Sequence, residues 1–218
     1  MLRWLLPALI DPAKSQLTKG IPMNAMSYDP CGVIEVTAVP MAPRPNRAAG
    51  LRLGVLSNTK WNAAKLLRAT VRELVAHRVN FAAVNYYDKR HFSSDAHPEL
   101  ISQIAAENDI ALTAIGDCGS CCSACVNDAV RLEQAGVPTV VIVTTEFERE
   151  ARLQRESRGM AGLQPAITTH PISSLTLDQL DSRAAEIAPQ APRIWFGVTP
   201  VSRSNGKVPA AFGPAGHD

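Results

Sequence analysis

The chain has 218 residues, 46% of them hydrophobic and 19% charged, with 22 basic residues against 20 acidic ones and a net charge of +2. That length suffices for one domain with its own core. The near balance of charge, the absence of any Lys/Arg stripe and the few aromatic residues exclude a nucleic-acid partner. No window reaches the ~18 apolar residues of a membrane helix, so no membrane partner is expected and the expected compartment is the cytoplasm.

The first ten residues, MLRWLLPALI, have the look of a signal peptide, but Pro7 interrupts the apolar run and no small-residue cleavage pattern follows. They are expected to be an extension upstream of a natural start at Met23 or Met26. Residues 1–50, with Pro30, Pro40, Pro43 and Pro45, read as an extended N-terminal arm in which Val33-Ile34-Glu35-Val36 forms a short edge strand. Residues 51–56 are an apolar strand and 57–62 a polar loop. A helix over 63–76 follows, with Leu67, Val71 and Leu74 at i, i+4 and i+7. A second strand begins at 81–84, and 97–107 is a helix opened by Asp95 and Pro98. Residues 110–115 form a third strand, and 120–135 a helix that stops at Gly136.

Residues 138–143, with the β-branched run Val140-Val141-Ile142-Val143, read as a buried parallel strand. A charged helix over 146–158 and a weaker strand over 166–169 come next. Thr176-Leu177-Asp178-Gln179 then has the form of a capping box for a helix ending before Pro189. Residues 191–218, with Pro200, Gly206, Pro209, Gly213 and Pro214, read as a flexible C-terminal tail.

Strands alternating with helices at these lengths predict an α/β domain over residues 51–190. Its fold class is a three-layer sandwich with a mostly parallel sheet and right-handed crossovers, of the flavodoxin/Rossmann-like kind. Ligands bind such sheets beyond the carboxyl ends of the strands. That rule gathers residues 57–62, 116–121, 144–146 and 168–170 at one edge.

Four of the five cysteines, Cys118, Cys121, Cys122 and Cys125, fall within eight residues, while Cys31 stands alone. A secreted disulfide framework spreads its cysteines, so this cluster points to a redox, nucleophilic or metal site in a reducing compartment. Cys118 and Cys121 have C-x-x-C spacing at a strand-to-helix turn. There the free N–H groups and the helix dipole favour a thiolate at Cys118. Gly116 permits a tight turn and Gly119 a close backbone approach. Cys121, one helical turn on, resolves an oxidised Cys118 as a disulfide. The backbone N–H groups of Gly119, Ser120 and Cys121 would face developing negative charge.

Small cysteines also pack well between helix and sheet. That reading suits Cys125, which shares a face with Ala129, while Cys122 stays ambiguous. Four cysteines with His170 or Cys31 as a distant ligand could also hold zinc or an iron–sulfur cluster. Because Cys121 and Cys122 point ~100° apart on a helix, no metal ligands are assigned.

Asn58, Lys60 and Asn62, with Thr145, are candidates to hold a carbonyl or carboxylate substrate, against the alternative of a solvated loop. Asp117, Glu146 and His170 are candidate proton carriers. Glu146 alternatively caps its helix, and His170 alternatively is a surface histidine. His77, His91 and His97 are read as structural.

The segment Ala114-Ile115-Gly116-Asp117-Cys118-Gly119-Ser120-Cys121 resembles the UGSC family, named for a Sec-Gly-Ser-Cys motif in its selenocysteine-containing members, with Cys118 at the selenocysteine position. The similarity continues through Asn127-Asp128-Ala129-Val130, Gly136-Val137-Pro138-Thr139-Val140-Val141 and Thr144-Thr145-Glu146-Phe147. Upstream, the run from Gly54 to Asn62 resembles the family's Gly-Leu-Leu-Asp-Asn-Gly-Lys-Pro-Asn loop, and Tyr28-Asp29-Pro30 and Ala42-Pro43 its N-terminal arm. His170-Pro171 resembles its late His-Pro step, so the likeness covers roughly residues 28–190. Two departures are Cys122 and Ala124, where selenocysteine members commonly carry Thr and Trp. The resemblance implies redox chemistry and supplies no substrate.

The leading expectation is a cysteine-dependent oxidoreductase or reductase acting on a small-molecule substrate. Cys118 attacks, Cys121 resolves, and a dithiol or glutathione serves as the thiol reductant. No G-x-G-x-x-G occurs, so no bound NAD or FAD is expected. A non-redox cysteine lyase, hydrolase or racemase-like enzyme and a metal-binding accessory protein are the alternatives. A homo-oligomer is compatible with the sequence.

Overall fold

A computed structural model describes residues 36–46 and 50–197. Strand β1 (Leu51–Ser57) leads into helix α1 (Ala63–Ala76), then β2 (Phe81–Asp88) and α2 (Pro98–Glu107). Strand β3 (Ile110–Gly116) is followed by α3 (Gly119–Gln134), β4 (Thr139–Thr144), a 3₁₀ turn (Thr145–Phe147) and α4 (Glu148–Ser157). The three-residue β5 (Ala166–Thr168), α5 (Leu177–Ile187) and α6 (Ala191–Phe196) complete the order.

All four strand pairings are parallel, and the five-stranded sheet runs β2-β1-β3-β4-β5. This is the doubly wound order of flavodoxin-like sheets. Every residue of β3 and β4 is buried, as interior strands covered on both faces require. The side chains of β4 alternate between two cores. Val140 and Ile142 pack with Leu66 and Leu67 of α1, Leu180 of α5 and Trp195 of α6. Val141 and Val143 pack with Cys122, Cys125 and Val126 of α3 and Ala151 of α4. A third cluster seats Ile101 and Ile104 of α2 against Leu56 and Ala111.

The edge strand β5 is closed by a side chain. Gln190 accepts from the Ile167 N–H at 2.9 Å and donates to the Ile167 carbonyl at 2.7 Å, occupying groups that a further strand would otherwise use. At the other end of α5 the expected capping box forms, with Gln179 Oε1 accepting from the Thr176 N–H at 2.9 Å.

Several boundaries differ from the sequence expectation. Strand β2 runs on to Asp88. The charged segment after β4 divides into the 3₁₀ turn and α4, whose first residue is Glu148 rather than Glu146. His97 occupies the N-cap of α2 with Pro98 in its first turn, while Asp95 accepts from Asn127 Nδ2 at 2.5 Å. The expected loose tail instead opens with α6, where Trp195 is fully buried and donates from Nε1 to the Ala111 carbonyl at 2.8 Å.

Residues 36–46 form no strand or helix, yet they are fastened. The Val39 N–H donates to the Gly159 carbonyl, and buried Glu133 accepts from the Ala42 N–H and from Arg44, each at 2.8 Å. The signal-like start, Met23, Met26, Cys31 and most of the expected 33–36 strand lie outside the described residues. Among the described residues no helix is long and apolar enough to cross a membrane.

Candidate functional site

The site forms where β3 ends and α3 begins. Cys118 is the N-cap of α3 in extended conformation (φ −154°, ψ 165°), and Cys121 is the third residue of the helix. Their Cα atoms are 5.3 Å apart and their sulfurs form a disulfide. Cys118 is half-buried and Cys121 is 0% exposed, so an incoming thiol meets Cys118 first.

Of the two glycines at the motif, Gly116 acts differently from the sequence expectation. Gly116 is not in the left-handed region. A Cβ there would stand 3.1 Å from Cys122 Cα and 3.2 Å from Val143 Cγ2, so glycine is needed for the seating of α3 on the sheet. A Cβ on Gly119 would meet nothing within 4 Å. Gly119 and Ser120 are exposed and leave the start of α3 open to a ligand.

Beneath the disulfide lies Asp117, whose carboxyl and the two sulfurs all fall within 4.8 Å of one another. Its side chain is 3% exposed; Lys60 Nζ stands 2.5 Å from Oδ1, and Ser173 Oγ donates to Oδ2 at 2.9 Å. Lys60 therefore belongs to the site through Asp117, not as a free cation awaiting substrate.

Its neighbours are also committed inward. Asn58 is fully buried: its amide donates to the Ile115 carbonyl at 3.0 Å and to Cys125 Sγ at 3.4 Å, and its Oδ1 accepts from the Lys60 N–H at 3.2 Å. Asn62, with φ 69°, donates to the carbonyls of Ile172 and Leu175 at 3.0 Å and of Ser173 at 3.3 Å. The expected substrate contacts of these two asparagines are thus replaced by positioning contacts. Asn58 shapes the loop that carries Lys60, and Asn62 holds the loop that carries Ser173. Ser173 escaped the sequence reading because it lies 56 residues from Asp117, with no motif beyond the nearby His170-Pro171 step to mark it.

His170 stands at the C-terminal end of β5. Its Nδ1 is 3.0 Å from Thr144 Oγ1, its backbone N–H donates to Thr145 Oγ1 at 3.4 Å, and its ring lies 5.9 Å from that of Phe147. Its hydrogen bonds run to β4 and the 3₁₀ turn rather than to Cys118. Thr145 and Glu146 are exposed on that turn, and no hydrogen bond or ion pair holds Glu146 among the described residues.

Cys122 and Cys125 are buried away from the disulfide. Cys122 faces the Phe147 carbonyl at 3.6 Å, and Cys125 faces Asn58. Burial pushes each thiol up to about 12, with the charge of Glu150 adding to the effect at Cys122. They do not join Cys118 and Cys121 in one donor set. The metal-capable group among the described residues is Asp117 with Cys118 and Cys121, and its carboxyl already holds Lys60. The four-cysteine reading fails because consecutive helical positions aim their sulfurs at different neighbours.

The family model of the UGSC family matches residues 26–197. The chain belongs to the UGSC family. Among solved structures, the flavodoxin-like domain of a Synechococcus sp. protein is 11% identical, covering 65% of this chain and 99% of its own, with a TM-score of 0.35. A diflavin flavoprotein A3 from Nostoc sp. is 12% identical over 69% of this chain and 99% of its own, also at 0.35. The lactose-specific IIB component domain of the Streptococcus pneumoniae phosphotransferase system is 11% identical over 67% and 98%, at 0.29. No curated protein matches the chain. Within this UGSC-family chain, the motif cysteines are the pair found bonded at the head of α3.

Proposed function

We propose that this UGSC-family protein is a cysteine-dependent oxidoreductase that reduces a small-molecule substrate through Cys118. The observation that carries the reading is the Cys118–Cys121 disulfide, with one accessible sulfur and one buried, at the open N-terminus of a helix. Unpaired N–H groups and the helix dipole stabilise a thiolate at such a position.

In the reduced enzyme the Cys118 thiolate attacks an electrophilic sulfur of a disulfide-type substrate. The substrate S–S bond breaks, and its leaving thiolate departs with a proton from solvent. Cys121, losing its proton, attacks Cys118 Sγ. The enzyme disulfide forms and the second substrate thiolate leaves, so the substrate has gained two electrons. A dithiol, or two glutathione molecules, then attacks Cys118 Sγ, expels Cys121 as a thiolate and is itself oxidised to a disulfide.

Asp117 is the natural carrier of the Cys121 proton, since its carboxyl lies within 4.8 Å of both sulfurs. Lys60 offsets the carboxylate charge, which would otherwise oppose a thiolate beside it. Ser173 fixes the carboxyl orientation. Exposed Thr145 and Glu146, with His170, line the substrate side of the same sheet edge.

The test is turnover of disulfide substrates by Cys118→Ser and Cys121→Ser variants, joined to mass-spectrometric mapping of alkylation on reduced protein. Cys118→Ser is expected to abolish turnover. Cys121→Ser should complete a single turnover and stall as a mixed disulfide at Cys118. Undiminished multiple turnover in Cys121→Ser would sink the redox cycle and leave Cys118 as a non-redox nucleophile.

A further inference from the structure

We infer that the cavity between α4 and the edge strand β5 is a binding site for a small molecule bearing oxyanion groups, carboxylate or phosphate. The cavity has a volume of about 470 Å³, within the range of small-ligand sites, and is open to solvent. Thr145, Glu148, Arg149, Arg152, Arg155 and Gln164 line it, with Pro165 and Ile167 as its apolar floor.

Three of those residues are arginines spaced i, i+3 and i+6 on one helix, against a single carboxylate, Glu148. Like charges at helical spacing repel, so such a row is destabilising unless an anion answers it. The protein does little of that itself. Arg149 has no ion pair among the described residues, and Arg152 reaches Glu156 only at 3.9 Å. Arg155 donates from Nη1 to the Leu163 carbonyl at 2.5 Å, while its buried Nε has no partner among the described residues.

Guanidinium groups present paired N–H donors in a fixed plane that matches carboxylate and phosphate oxygens, and the Gln164 amide adds a further polar group to the wall. The apolar floor fits the uncharged body of such a ligand. Thr145 belongs both to this lining and to the turn that holds the His170 backbone, so one end of the cavity reaches the sheet edge that carries the disulfide. The site is independent of thiol chemistry, and its ligand is expected to bind the oxidised and the reduced protein alike.

Isothermal titration of the full-length oxidised protein with pyrophosphate and, separately, with citrate at constant ionic strength tests this directly. Saturable one-to-one binding of either probe is expected, pyrophosphate alone assigning phosphate and citrate alone assigning carboxylate. The double variant Arg149→Gln/Arg152→Gln should weaken it by about tenfold or more. Both substitutions are at exposed positions, so the fold should survive, which circular dichroism would verify. The control Arg72→Gln, exposed on α1 and paired with Asp181, should leave affinity unchanged. Absence of saturable binding of both probes overturns the proposal. So does binding that the double variant retains, or that Arg72→Gln weakens equally, since either marks diffuse charge attraction.

Discussion

Cys118 and Cys122 lie four residues apart, yet one sulfur is reachable and the other is sealed beneath the Phe147 carbonyl. Burial raises the Cys122 and Cys125 thiols to about 12, so both are protonated and inert at neutral pH. In reduced native protein at pH 8, pulse alkylation should label Cys118 rapidly and leave Cys122 and Cys125 unlabelled until denaturant is added. The same shift has a thermodynamic sign. Each buried thiol stays neutral in the folded state while its unfolded counterpart ionises from about pH 9, so stability falls as pH rises from there towards 12, by at most ~1.4 kcal/mol per pH unit for each thiol. Urea melts at pH 8 and 10.5 should reveal the loss, and Cys125→Ala should shrink it.

Lys60 makes a second prediction at this scale. Replacing it with Met leaves the buried Asp117 carboxylate unbalanced, at a cost of about 3 kcal/mol, the low end for breaking a buried pair. Cys118 alkylation should slow as well, and adding Asp117→Asn should restore both the urea midpoint and the alkylation rate. The cysteine spacing and the inward-facing Cys125 were legible in the sequence because they follow from helical periodicity. The roles of Lys60 and Asn58 were not, because a polar loop residue reads the same whether its amine meets solvent or a carboxylate 57 residues away.

At the scale of elements, the site depends on how α3 sits on the sheet. Contact between Gly116 and the Cys122 backbone brings the head of α3 close to β3, and with it the disulfide onto Asp117. Gly116→Ala would place a Cβ 3.1 Å from Cys122 Cα, and helix backbone yields less readily than a side chain. The expected result is a destabilisation of about 1–3 kcal/mol by overpacking. Reduction of the disulfide by dithiothreitol should change in rate, while Gly119→Ala, where the Cβ meets open space, should change reduction little. Stopped-flow reduction of the two variants side by side checks this; equal effects would refute the close-packing role of Gly116.

Further along α3, Asp128 binds Lys89 at 2.6 Å and the Ala96 N–H at 2.7 Å, tying the segment after β2 to the helix below the site. Strand and helix order were readable from hydrophobic periodicity. Such ties were not, because an Asp and a Lys on separate elements carry no local pattern that predicts their meeting.

For the molecule as a whole, the last described helix decides how much of the chain the core needs. Pro189 precedes a six-residue segment that has Pro192 as its second residue, and the sequence from 191 onward reads as a tail. In the structure Pro192 sits in the first turn of α6, where its missing N–H costs nothing, and Gly197 ends the helix in the left-handed region at φ 68°. Between them Trp195 enters the core shared by α1, α5 and the sheet, with Phe81 edge-on at 6.3 Å and its Nε1–H on the Ala111 carbonyl. That carbonyl belongs to β3, the strand that ends at Gly116 beneath the site, so α6 braces the strand on which the cysteines are mounted. Trp195→Ala should cost about 3–5 kcal/mol, as truncation of a buried Trp does. Trp195→Phe keeps most of the packing and loses the hydrogen bond, so its cost should be smaller. A ladder in the melting temperature from wild type to Phe to Ala is therefore expected, about 2–4 °C per kcal/mol for a domain of this size. If Trp195→Ala melted within a degree of wild type, α6 would be a tail after all, and the domain would end with α5.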